Sequence, residues 1–172
     1  ILTYVGMLAS FTGIAFGMQG NLYAALICLM ISGCCDMFDG KIASTRKRTR
    51  QEKQFGIQID SMSDLICFGI LPAVILMKTG EFSVLSVVVA GLYVLAALIR
   101  LSYFNVDEEE RQSRTQERRK TYLGLPVTTV AMSVPLIFLG VRIPGYPLRK
   151  VLVGGMVLNS GAFLTPFRLK KP

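Results

Sequence analysis

Apolar residues fall into six blocks of about 20 along the chain, the length a helix needs to cross roughly 30 Å of hydrocarbon. The pattern predicts helices over Leu2–Gly17, Leu22–Ile42, Ile57–Met77, Phe82–Phe104, Leu123–Val141 and Leu148–Thr165. Turn residues separate them: Gly20 and Asn21, then Thr79 and Gly80, then Pro144, Gly145 and Pro147. The fold class expected is therefore all-α, a polytopic membrane protein of six transmembrane helices forming one domain over residues 1–172.

Two connections are charged instead. Ser44 to Phe55 carries Arg46, Lys47, Arg48, Arg50 and Lys53 against Glu52, and Val106 to Tyr122 carries five acids and five bases. Both read as water-exposed and, by the positive-inside bias, cytoplasmic. With Arg168, Lys170 and Lys171 in the tail on the same side, both termini are inside, which an even number of crossings satisfies. Arg142, Arg149 and Lys150 fall outside, against the bias.

Composition agrees with the pattern. Of 172 residues 52% are hydrophobic, and the mean hydropathy is +0.50. The net charge of +8 is accounted for by basic cytoplasmic loops, so nucleic acid is not an expected partner. Cys28, Cys34, Cys35 and Cys67 lie in apolar blocks without paired CxxC spacing, and histidine is absent, which argues against zinc and disulfide frameworks. Proton transfer must then fall to carboxylates, Lys, Tyr or Cys. Ile1 lies inside an apolar run with no basic segment or cleavage site, so no secretory signal is expected, and a short preceding piece is.

The polar exceptions carry the chemistry. Asp36 and Asp39 (i, i+3) close the second predicted helix, and Asp60 and Asp64 (i, i+4) open the third, so each pair shares a helix face at one depth near the cytoplasm. A central aspartate costs about 2.5–3.5 kcal/mol on insertion scales, so the acids are expected to face a polar cavity. Their mutual repulsion is relieved by protonation, by bases such as Lys41 and Arg46, or by one or two divalent cations with oxygen ligands. An ion or proton pathway in a transporter is an alternative use of such acids. Gly40 and Gly56 let backbone approach a bulky ligand at both ends of the basic loop, and cations beneath Arg and Lys suit a phosphate-bearing substrate.

The arrangement Asp36-x2-Asp39-Gly40-x2-Ala43, then Gly56-x3-Asp60-x3-Asp64, resembles the signature of the CDP-alcohol phosphatidyltransferase family. Arg100-Leu-Ser-Tyr-Phe-Asn105, Gly124-Leu-Pro-Val and the FGIQIDS stretch look like its bacterial and archaeal phosphatidylserine synthase branch. The resemblance implies a six-helix homodimeric enzyme that transfers a phosphatidyl group from CDP-diacylglycerol to serine and releases CMP, using two divalent ions, Mg2+ or Mn2+. It implies Asp36, Asp39, Asp60 and Asp64 as metal ligands, Asp64 also as the base, and Asp36, Gly40, Ala43, Gly56 and Asp60 as the nucleotide pocket. Arg100 could hold a lipid phosphate or the serine carboxylate, or snorkel to the interface; Asn105 could add an amide contact or cap a helix end. Glycerol 3-phosphate or inositol phosphate as acceptor, a cation transporter, and a silent lipid-binding homologue are the other readings.

Two departures from the family pattern stand out. Ser44 occupies the position of the usual Arg, and eleven residues separate it from Gly56, more than is usual. Arg46 would point about 200° away from Ser44 on a continued helix, so it is no simple replacement.

Overall fold

The structure is a computed structural model that describes residues 2–43, 49–80, 83–114, 121–123, 126–140, 148–165 and 168–170. Seven α-helices account for nearly all of them: α1 Leu2–Met18, α2 Leu22–Ala43, α3 Arg50–Asp64, α4 Leu71–Lys78, α5 Val84–Arg114, α6 Val130–Gly140 and α7 Leu148–Leu164. A π-helical segment, Leu65–Ile70, joins α3 to α4, and a 3-10 turn, Val127–Thr129, leads into α6. Outside the helices, Thr121–Leu123 and Arg168–Lys170 form a short antiparallel ladder, with Tyr122 opposite Leu169.

Three described stretches are long and apolar enough to cross a membrane: Leu22–Asp39, Gln51–Lys78 and Val84–Glu110. The second is one continuous column made of α3, the π segment and α4. Large apolar side chains cover the outer surface, among them Leu8, Phe11, Leu92, Met132 and Leu158, the last 75% exposed. Lipid can solvate such a surface, and helices in lipid associate through small residues that let backbones approach. The contacts follow that rule. Gly6, Ser10, Gly13 and Gly17 form the buried stripe of α1, whose most extensive packing is against α2. A Cβ on Gly13 would lie 2.7 Å from Cys28 Cβ, and one on Gly33 of α2 would lie 2.5 Å from Ala131 Cβ of α6.

The expected helix positions hold for α1, α2 and α7, and three boundaries differ. The basic connection is shorter than expected because α3 begins at Arg50. Thr49 caps it: its side chain accepts from the Glu52 backbone N–H while its own N–H donates to Glu52 Oε2 at 2.8 Å, a reciprocal capping box. Gly56 therefore lies inside α3 and does not open a helix. Asn105 does not end its helix either, because α5 runs on through the acidic run to Arg114. The helix expected from Leu123 starts only with the turn at Val127, after Pro126, whose extended backbone (ψ 139°) precedes it. The turn expected around Pro144, Gly145 and Pro147 lies outside the described residues.

Turn chemistry elsewhere agrees with the pattern. Gly20 (φ +83°) ends α1, with its N–H on the Gly17 carbonyl and the Asn21 N–H on that of Phe16. Asn21 then caps α2 through the Ala24 N–H. The described parts of the two charged connections lie at one end of the bundle: Gln54 of α3 donates to Glu109 of α5 at 3.2 Å. Arg149 of α7 reaches Ser86 near the start of α5, at the other end.

The π segment has a chemical cause on its C-terminal side. Pro72 has no N–H to give the Phe68 carbonyl one turn back, and its ring crowds that carbonyl. The hydroxyl of Tyr93, fully buried on α5, donates to Phe68 O, and its ring packs on Phe163 of α7 with centroids 5.9 Å apart. Tyr93 thus fastens α5 to the column just beyond Asp64. Tyr93→Phe leaves a buried acceptor without its donor and should destabilise the fold by about 1–3 kcal/mol, read as a lowered Tm in detergent; an unchanged Tm would mean the carbonyl is satisfied otherwise.

Candidate active site

Asp36 sits on α2, and Asp60 and Asp64 share one face of α3. Where these helices meet, one carboxylate oxygen from each of Asp36, Asp60 and Asp64 lies within 4.8 Å of the other two. Ligand atoms on opposite sides of an ion at the 2.0–2.6 Å of magnesium or calcium oxygen bonds stand about 4–5 Å apart, so three hard oxygen donors at this spacing fit one divalent cation. The donor set has no sulfur or imidazole, which suits magnesium or manganese better than zinc.

Asp39 is the fourth expected ligand and stands apart from this group. It lines the same cavity, but its Oδ2 accepts a hydrogen bond from the hydroxyl of Thr3 on α1. Thr3, Gly6, Ser32, Cys35, Ser63 and Phe68 complete much of the wall. The floor is polar and internally bonded. The Ser32 hydroxyl lies 2.6 Å from that of Ser10 and 2.9 Å from the carbonyl oxygens of Gly6 and Cys28. Ser63 donates to Thr3 O at 3.4 Å. The space between the acids holds about 10 Å³ for a water-sized sphere, enough for a single small ion or water. Anything larger than one small ion or water must therefore lie over the cavity mouth.

Of the expected nucleotide pocket, Asp36 and Asp60 line the cavity. Gly40 and Ala43 belong to the last turns of α2, and Gly56 is half-buried in α3, one turn before Asp60. Ser44, Arg46, Lys47 and Arg48 lie outside the described residues. Neither Arg100 nor Asn105 is among the described residues lining the acidic cavity. The two are about 140° apart around α5. Asn105 Oδ1 accepts from Ser61 at 2.7 Å and borders a separate cleft with Gln54, Gln58 and Glu109. Its amide thus joins α5 to α3; it is not a helix-end cap.

Sequence reasoning missed Thr3, Ser32 and Ser63. Thr3 could have been found: two helices joined by the short turn at Gly20 and Asn21 run antiparallel, so the start of α1 lies beside the end of α2 and its first polar residue is level with Asp36 and Asp39.

Comparison with known proteins gives this geometry a family. The profile of the CDP-alcohol phosphatidyltransferase family matches residues 1–166, and the chain belongs to that family, whose members are membrane enzymes. It is 30% identical over 141 residues to the archaetidylserine synthase of Methanothermobacter thermautotrophicus, covering 81% of this chain and 56% of the relative. It is 29% identical over 147 residues to the CDP-diacylglycerol–serine O-phosphatidyltransferase of Saccharomyces cerevisiae, covering 78% and 52%. The enzyme of that name from Helicobacter pylori is 27% identical over 138 residues, covering 79% and 53%. The chain spans about half the length of these curated relatives. No solved structure matches it significantly.

Asp60→Asn separates metal binding from repulsion. In EDTA the variant should melt above the native chain, by about 2–4 °C for each kcal/mol of repulsion relieved. With Mn2+ added the order should reverse, because the native chain alone gains from full ligation. The same order under both conditions would argue against a cation site.

Proposed function

We propose that this chain transfers a phosphatidyl group from CDP-diacylglycerol to the hydroxyl of L-serine and releases CMP. The observation that carries the reading is the meeting of Asp36, Asp60 and Asp64 within 4.8 Å, at the positions of the family signature. The names of the curated relatives point to serine as the acceptor.

In this reading the acyl chains stay in lipid beside the helices while the diphosphate lies at the mouth of the acidic cavity. Two divalent cations, Mg2+ or Mn2+, held by Asp36, Asp39, Asp60 and Asp64, would neutralise diphosphate oxygens and the charge that builds on departing CMP. Asp64 accepts the proton of the serine hydroxyl as its oxygen attacks the phosphorus that carries diacylglycerol. A new serine O–P bond forms, and the bond from that phosphorus to the bridging diphosphate oxygen breaks with its electron pair going to CMP. Gly40, Ala43 and Gly56 leave room for the nucleotide along α2 and α3. From α5, Arg100 or the amide NH2 of Asn105, whose Oδ1 is taken by Ser61, serves the acceptor or a lipid phosphate.

The same reading has α1, α2, the α3–α4 column, α5, α6 with its leading turn, and α7 each cross the membrane. The placement of both charged connections at one end, through Gln54 and Glu109, supports a cytoplasmic site with both termini inside. The ladder between Thr121–Leu123 and Arg168–Lys170 supports it too. A homodimer in the plasma membrane of a prokaryote completes the proposal.

Ser44, in the place of the family's usual Arg, favours a second reading, a homologue that binds CDP-diacylglycerol without turnover. One assay separates the two. Purified chain with CDP-diacylglycerol, Mn2+ and labelled serine should give labelled lipid and CMP, and Asp64→Asn should lower kcat by about 10²–10⁴-fold. Product from glycerol 3-phosphate or inositol phosphate and not from serine would change the acceptor. Tight lipid binding with no CMP release, repaired by Ser44→Arg, would establish the silent homologue.

A further inference from the structure

Thr3 of α1 lies outside the aspartate signature yet reaches both helices that carry it. Its side chain and its backbone hold different helices. The hydroxyl donates to Asp39 Oδ2 on α2, and the carbonyl accepts from Ser63 on α3, the neighbour of Asp64, at 3.4 Å. Thr3 thus bridges the two helices that carry the acids, at the wall of the cavity they share. The contact also sorts the carboxylates: three converge, and the one bonded to Thr3 does not join them.

A carboxylate has about four lone-pair positions over two oxygens, so one hydrogen bond leaves the group able to ligate while fixing its orientation. Carboxylates that bind metals are themselves commonly hydrogen-bonded, and losing such an outer partner costs about 10–100-fold in metal affinity. Asp39 has particular need of one. It lies three residues beyond Asp36, one helical turn nearer the end of α2, and among the described residues its one hydrogen-bond partner is the Thr3 hydroxyl.

We propose that Thr3 is the positioning residue of Asp39: its hydroxyl holds this carboxylate beside the Asp36–Asp60–Asp64 group, oriented for a second divalent cation. The inference rests on the metal-dependent reading above and gives α1 a role in the site in addition to its packing. The small stripe Gly6–Ser10–Gly13–Gly17 seats α1 closely enough on α2 for a threonine one turn before it to reach Asp39.

The test is Mn2+ binding to the full chain in detergent, followed by the EPR signal of the free ion, for the native protein, Thr3→Val and Thr3→Ser. The native chain should bind two ions. Thr3→Val keeps the shape and removes the donor; it should weaken one of the two by about 10–100-fold and leave the other unchanged. Thr3→Ser restores the donor and should restore the affinity. Thr3→Val titrating as native overturns the proposal, as does equal weakening by both variants, since a purely structural role would not follow the hydroxyl. Native binding of one ion alone overturns it as well and leaves the three-carboxylate site standing, whereas no binding removes the metal reading itself. If Thr3→Val lacks a cooperative melt, Thr3→Ala takes its place with the same outcomes.

Discussion

Three carboxylates brought within 4.8 Å of one another repel. At an effective dielectric constant of about 20 each ionised pair costs on the order of 3 kcal/mol, a large fraction of a typical fold's stability of about 5–15 kcal/mol. The rest of the architecture makes this arrangement tenable. Asp60 and Asp64 are fixed to one face by the helix, and α3 is held at its start by the Thr49–Glu52 capping box. At its far end the π segment and Tyr93 tie the column to α5. A fold that holds acids together so firmly is prepared for a cation, because a cation turns the repulsion into attraction.

The same constraint explains the small residues. Polar side chains must be sequestered from lipid, so α1 and α2 come close and share a serine pair, Ser10 and Ser32, beneath the acids. Each buried hydroxyl there has a partner, which is what a low-dielectric interior demands. The outer faces remain apolar, and the polar interior forms a seam from the cavity down between α1, α2 and the π segment.

Much of this was legible in the sequence, because the membrane imposes a length on every span and makes each buried charge conspicuous. The helices, the pairing of acids by spacing, and their common depth follow from that alone. Other features follow from contacts between residues distant in the chain. Nothing local in Leu65–Ile70 signals a π segment except Pro72 just after it, and its partner Tyr93 lies on another helix. The distinction between Asp39 and the other three acids depends on Thr3, 36 residues away. The start of α3 is a different case: Thr49-Arg-Gln-Glu52 is a capping-box signature in plain view, outweighed by the basic residues around it. Arg100 and Asn105 read as one acceptor motif, yet the helix turns them apart and gives Asn105 to Ser61.

Whether Asp36, Asp60 and Asp64 share a divalent cation is read most directly by anomalous scattering from crystals of the full chain grown with Mn2+. A shared cation gives an anomalous peak between α2 and α3, about 2.0–2.6 Å from an oxygen of each of the three carboxylates. Occupied, well-ordered carboxylates with no peak between them, or with a lysine or arginine side chain in that place, would contradict it.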